Sequence, residues 1–180
     1  MDGEGWDAGG ESLNRRGRGG MRAAQVQIRG AAVEDSDAIA DVLYQSFVEF
    51  KPLYTDAGFA ATTPVAAQLE MRMREGPLWV ALSGGVIVGT VSAVKTGDSA
   101  YIRGMAVLPA TRASGAGYRL LQQVERWAAS EDLRRLFLST TPFLDAAIRF
   151  YEKAGFRRTD VGPHDLFGTP LFTMEKVIGT

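Results

Sequence analysis

The chain has 180 residues, 46% of them apolar, with 20 Lys+Arg against 21 Asp+Glu and a formal net charge of -1; that is enough for one domain with a buried core and too little for two. The near-cancelled charge removes the positive field on which nucleic-acid binding depends. With no cysteine and a single histidine, His164, disulfides, thiolate zinc sites, iron–sulfur ligation, a cysteine nucleophile and multi-histidine metal sites are excluded, and no metal is expected.

Seven of the 21 glycines fall in the first twenty residues, among mixed charges and without apolar periodicity. Residues 1–22 therefore read as a disordered leader or extension, with Met21 where a natural start would fall, and 23–180 as one domain. No apolar stretch follows the leader's charges as a signal peptide requires, and no run reaches the ~18 apolar residues of a membrane helix. A cytoplasmic protein without membrane contact is expected.

Gln25 to Arg29 alternates at period two, the mark of a first strand. Asp35-Ser36-Asp37 offers capping chemistry, and Ile39, Val42, Leu43, Phe47 and Phe50 recur at helical spacing up to Pro52. Thr63 before Pro64 announces a second helix through Val65, Leu69 and Met73 to Gly76. Residues 78–82 and 86–94 form a hairpin about Gly84-Gly85, and Thr96-Gly97-Asp98 turns the chain into a third strand, 100–107, of an antiparallel meander. Gly117, Leu120, Leu121, Val124, Trp127 and Ala128 share one helical face that ends near Ser130. A short strand at 136–139, a helix opened by Thr141-Pro142 and stopped at Gly155, and strands at 156–161 and 171–177 around a Gly-Pro-rich loop holding His164 complete the order.

The stretch from Ala106 to Leu121 carries the chemistry. A strand ends, a loop supplies Arg112, Gly115 and Gly117, and a helix begins, so unpaired amides and the positive helix end meet at one place suited to phosphate. The same glycine pair also fits a plain tight turn. Neither G-x-x-x-x-G-K-[ST] nor a first βαβ unit with G-x-G-x-x-G is present.

Met105-Ala106-Val107-Leu108-Pro109, then Arg112-x-x-Gly115-x-Gly117, then Phe150-Tyr151-Glu152-Lys153-Ala154-Gly155-Phe156 resemble, in that order and separation, the signatures of the GNAT superfamily of acyl-CoA-dependent N-acyltransferases. The resemblance spans about residues 25–178. It implies a mixed α/β (α+β) fold, with a central, mostly antiparallel sheet of six to seven strands splayed at the cofactor site and flanked by about four helices. It implies acetyl-CoA as acyl donor, its pyrophosphate held by the loop of Arg112, Ala113, Ser114, Gly115, Ala116, Gly117 and Tyr118. Its pantetheine arm would pair with the main chain of Met105, Ala106 and Val107. The Val107 amide would face the oxyanion, and Tyr151 would be the general acid, a residue that otherwise reads as an aromatic anchor. The implied function is transfer of an acetyl group to a primary amine of a small molecule or peptide, by direct attack in a ternary complex; the alternative is a catalytically silent acyl-CoA-binding or sensor module.

Three departures from the family pattern stand out. Strand Tyr101 to Met105 lacks the glutamate that many relatives use as base, Leu144 replaces a common asparagine, and Ala113 replaces a common glycine. Glu49, Glu70, His164 or a water chain are the remaining candidates for the base. Phe47, Phe50, Tyr54, Phe59 and Trp79 are candidate walls for the acceptor, though aromatics at this spacing also suit a core, and Arg72, Arg74, Arg157 and Arg158 would suit an acidic one. A homodimer through the C-terminal strands is compatible with the pattern.

Overall fold

The computed structural model describes residues 25–179, and the leader expected at 1–22 lies outside the described residues. Its strands are β1 (Gln27–Gly30), β2 (Leu78–Ser83), β3 (Val86–Thr96), β4 (Ser99–Val107), β5 (Arg135–Thr140), β6 (Arg157–Thr159), β7 (Asp165–Leu166), β8 (Thr169–Pro170) and β9 (Phe172–Val177). The helices are α1 (Ser36–Phe47), α2 (Asp56–Thr62), α3 (Ala66–Glu75), α4 (Ala116–Ser130) and α5 (Asp145–Lys153). Seven strands form one sheet in the order β1-β2-β3-β4-β5-β9-β6, antiparallel throughout except for the parallel pair β4–β5. Five α-helices, against the four expected, accompany it among the described residues.

Both faces of the sheet are covered, which is why Leu78 to Ala81 is an unbroken buried run. Leu78 and Val80 of β2 pack with Ile39, Val42, Leu43 and Leu69 of α1 and α3. Their neighbours Trp79 and Ala81 face the other way, into the core that Leu120, Leu121 and Val124 of α4 help to form, with Trp79 against Trp127. The period-two alternation thus joins two cores through one strand.

The helical boundaries depart from the sequence pattern at three places. The helix expected from Thr63-Pro64 to Gly76 is α3, which starts at Ala66 with Gly76 as its C-cap, and a helix not expected from the sequence, α2, precedes it. Thr55 caps α2, its hydroxyl accepting from Gly58 N at 3.0 Å, and Gln68 Oε1 accepts from Val65 N at 3.0 Å to start α3. Beyond Phe47 the first helix tightens to a 3₁₀ turn, Val48–Leu53, with Pro52 inside it. The last helix begins at Asp145, because Thr141 O accepts the amide of Leu144 at 3.3 Å and the chain turns there first. Asp35 does not cap α1. Its carboxylate accepts from Ala32 N at 2.8 Å and pairs with Arg29 at 2.6 Å, and the Arg29 guanidinium holds it below the usual carboxylate range. The loop that holds His164 contains a further hairpin, β7–β8.

One irregularity creates the site. The parallel pairing of β4 with β5 runs from Ser99 opposite Arg135 to Ile102 opposite Leu138 and stops there. On its other edge β4 pairs Arg103 with Ser92 but Ala106 with Thr90, a bulge at Gly104-Met105, and Gly104 adopts φ +58, in the left-handed region that glycine tolerates. The extra residue reverses the facing of the rest of the strand. Ala100 and Ile102 pack toward α4 and, after the bulge, so do Met105 and Val107, while Ala106 packs toward α1 and α3.

Candidate active site

A cavity of about 650 Å³ occupies the gap where β4 and β5 separate. At one end it is lined by Met105, Ala106, Val107, Arg112, Gly115, Gly117 and Tyr118, with Leu144, Phe150 and Tyr151 opposite. At the other end lie Phe47, Phe50, Tyr54, Arg72 and Arg103, with Thr140 and Thr141 between the two.

The first end is built from a helix start. Residues Pro109–Ser114 make a 3₁₀ turn, Gly115 at φ +80 reverses the chain, and α4 begins directly after it. The helix's first internal bond is Arg119 N to Gly115 O at 3.1 Å, and Ser114 Oγ accepts from Ala116 N at 3.3 Å. The amides of Gly117 and Tyr118 precede that first bond and have no acceptor within the helix. Gly117 matters for approach, since a Cβ there would stand 3.5 Å from the Phe150 ring and 3.7 Å from Val107 Cγ2, inside the cavity's throat. Ala113 and Ser114 are exposed on the turn and do not line the cavity; Ala116 is buried beneath it. Arg112 donates to Ser46 O at 3.3 Å and lies 3.5 Å from Glu49, with both side chains about half exposed, a weak and yielding pair.

Just past β4, Leu108 N donates to Val88 O at 2.8 Å. Successive amides of an extended strand point to opposite edges, so the Val107 amide points away from β3, into the gap left by β5. Across that gap Tyr151 is buried edge-on between Phe150 and Phe156, with ring centroids 5.4 and 5.5 Å away. Burial pushes its phenol above the ordinary tyrosine value, so it stays protonated. Leu144, the residue before α5, lines the cavity without capping the helix by its side chain.

The other end matches the sequence expectation in part. Phe47, Phe50 and Tyr54 are walls; Phe59 is not, packing 5.9 Å from Tyr54 and 6.0 Å from Tyr44 beneath the surface. Trp79 lies across the sheet against Trp127 at 5.9 Å. Of the four arginines expected, only Arg72 lines the cavity, while Arg158 sits 4.1 Å over the Phe172 ring. Burial raises the Tyr54 phenol, and the hydroxyls of Thr141 and Thr62 beside it pull it partly back.

No aspartate, glutamate or histidine is among the residues that line the cavity. Glu49 and Glu70 are outside its walls, and His164 is exposed, its carbonyl accepting from Leu171 N at 2.8 Å. Sequence reasoning missed Arg103, which the parity of β4 ahead of the bulge turns toward α3; the lone glycine inside a strand pattern was the available signal. Among the described residues there is no cluster of potential metal ligands and no helix long and apolar enough to cross a membrane.

The model of the Acetyltransferase (GNAT) family matches residues 40–156. The chain is 32% identical over 139 residues to the Uncharacterized N-acetyltransferase YjgM of Escherichia coli (strain K12), an overlap of 74% of this chain and 83% of that relative. Among solved structures it is similar to the PaiA N-acetyltransferase of Thermoplasma acidophilum in complex with coenzyme A, with a TM-score of 0.73 and 17% identity over 85% of this chain and 99% of that one. It is also similar to Ard1 of Thermoplasma volcanium, with a TM-score of 0.69 and 22% identity over 87% and 99%. At these identities the structural likeness speaks for the fold.

Proposed function

Because the chain belongs to the acetyltransferase (GNAT) family, we propose that it transfers an acetyl group from acetyl-CoA to a primary amine of a small molecule or peptide, by direct attack in a ternary complex. The observation that carries this reading is the continuity of one cavity, from the unpaired amides at the start of α4, past the free edge of β4, to the arginines beneath α3. A donor and an acceptor can meet in it.

The residues fit the donor. The Gly117 and Tyr118 amides, the positive end of α4 and the Arg112 guanidinium would hold the pyrophosphate, with Ala113, Ser114, Gly115 and Ala116 forming the turn that presents them. Met105, Ala106 and Val107 would offer their unpaired edge to the pantetheine arm as an added strand does. The thioester supplies the activated acyl group. The Val107 amide would donate to its carbonyl oxygen as negative charge develops there. Tyr151, which burial keeps protonated, would donate its proton toward the departing sulfur, and the same apolar surroundings would raise the basicity of a thiolate placed beside it. With no cysteine in the chain, no cysteinyl acyl-enzyme can form, which favours direct attack by the amine.

Thiol release from acetyl-CoA across a panel of amines tests the proposal, and amine-dependent turnover is expected. Tight acetyl-CoA binding without turnover by any amine would select the silent binding module instead. The carboxylate-free cavity and Leu144 are the observations in favour of that second reading.

A further inference from the structure

The acceptor end of the cavity is positively charged and unsatisfied. Arg72, Arg103 and Arg112 line the cavity, and no carboxylate does. Arg112 belongs to the donor end and leans on Glu49. Arg103 reaches Glu75 of α3 with Nη2, yet its Nε is buried with no hydrogen-bond partner. Arg72 pairs with no carboxylate among the described residues, and its one hydrogen bond is a long donation to Ala61 O at 3.3 Å. Burial and the nearby Arg103 guanidinium push Arg72 below arginine's ordinary value, with Glu75 and Tyr101 partly offsetting them.

One further buried polar atom in the cavity walls lacks a partner, Ser46 Oγ. Buried donors are rarely left unmade, because each costs the desolvation of a polar group. Donors and cations therefore surround a space into which the chain extends no carboxylate. What is missing is an anion.

The position of Arg72 gives that anion a role. Its Nη1 lies 3.5 Å from where a Cβ on Gly104 would stand, above the bulge and three residues before Val107 on the same strand. That separation is roughly 10 Å along a regular strand and less across a bulge. A molecule anchored there by a planar, bidentate acceptor would reach the Val107 amide with its other end. Carboxylate is the group whose geometry matches a guanidinium fork.

Resting on the proposed acetyl transfer, we infer that the acceptor is an amine that also bears a carboxylate, an α- or ω-amino acid, and that Arg72, assisted by Arg103, is the specificity determinant that grips it. Tyr54 and Thr141 line the space between the anchored end and the reacting end. The aromatic rings of Phe47 and Phe50 then bound the side-chain space of the acceptor.

The test titrates the CoA-saturated protein, by calorimetry, with the proteinogenic amino acids, β-alanine and γ-aminobutyrate, each beside its own carboxamide. At least one acid is expected to bind about 10- to 100-fold more tightly than its amide, the scale of one charge-assisted contact. Arg72→Gln removes that preference while CoA affinity stays unchanged, and Arg72→Lys restores part of it. Should Arg72→Gln lose the fold with its bond to Ala61, Arg103→Gln carries the same comparison through a weakened preference. The inference is overturned if no acid in the panel outbinds its amide, or if the preference survives Arg72→Gln. The same panel with acetyl-CoA separates the two proposals. Acids that bind but release no thiol remove the catalytic reading and leave the subsite, whereas amides turned over as fast as acids remove the subsite and leave catalysis.

Discussion

Substitution at Gly117 separates binding from folding. A Cβ added there meets the Phe150 ring at 3.5 Å and Val107 Cγ2 at 3.7 Å, which are ordinary contacts, and its backbone is helical, so Gly117→Ala is sterically tolerated. Replacing a helical glycine with alanine stabilises by roughly 0.5–1 kcal/mol. In a domain of this size that raises the melting temperature by about 1–4 °C. The same methyl, however, stands in the throat beside the Gly117 and Tyr118 amides. Losing one charge-assisted bond to a pyrophosphate costs about 1.5–3 kcal/mol, or roughly 10- to 100-fold in the CoA dissociation constant. Gly117→Val carries two more methyls toward Phe150 and adds an overpacking cost of about 1–3 kcal/mol. Thermal unfolding without ligand, with calorimetric titration of CoA, reads the two effects apart. Gly117→Ala should be at least as stable as the parent and bind CoA at least about tenfold more weakly. Unchanged CoA affinity in both variants would refute the placement of the pyrophosphate on this main chain.

Gly115→Ala should behave in the opposite way, since the φ of +80 at a site with open space around the Cβ predicts backbone strain of about 1–2 kcal/mol, read by urea unfolding. Tyr151→Phe should slow thiol release by about 100-fold or more and leave the CoA dissociation constant within a few-fold. Because burial holds its phenol above the ordinary tyrosine value, the parent should keep its rate as pH passes about 10, where an exposed tyrosine would have lost its proton.

The parts of the fold that depend on one strand or one turn were legible in the residues. The meander from Leu78 to Val107 comes from alternation and Gly-containing turns, and the start of α4 from Gly115 and its apolar face. What the residues did not disclose depends on partners distant in the chain. The cap at Thr55 is recognisable only once Thr169 and the β7–β8 hairpin hold that segment, Thr55 N donating to Thr169 Oγ1 at 2.9 Å. Arg72 and Arg74 look alike in sequence, yet only the first points beneath β4 into the cavity, because the tilt of α3 on the sheet is decided by Leu69 packing with Leu43 and Val80. Arg103 needed the parity of β4, and that in turn needed Gly104 to be read as a bulge.

The absence of a carboxylate or histidine from the cavity walls has a kinetic consequence. Only the neutral amine attacks a thioester, and in water a peptide α-amine holds its proton up to about pH 8 and a lysine-like amine to about pH 10. An enzyme base with a pKa near neutrality would accept that proton and make the rate level off above its own titration. Here the cavity walls offer the hydroxyls of Ser46, Thr62, Thr140 and Thr141, which set no pKa of their own in this range, so the amine would give its proton to water. The rate constant kcat/KM should therefore climb about tenfold per pH unit from about pH 6 up to the acceptor's own pKa, with no break before it. Replacing Glu49 and Glu70 with glutamine should leave that slope untouched. Measuring kcat/KM against pH with an amine of known pKa decides the matter, and a plateau beginning near pH 6–7 would show that the protein supplies a base after all.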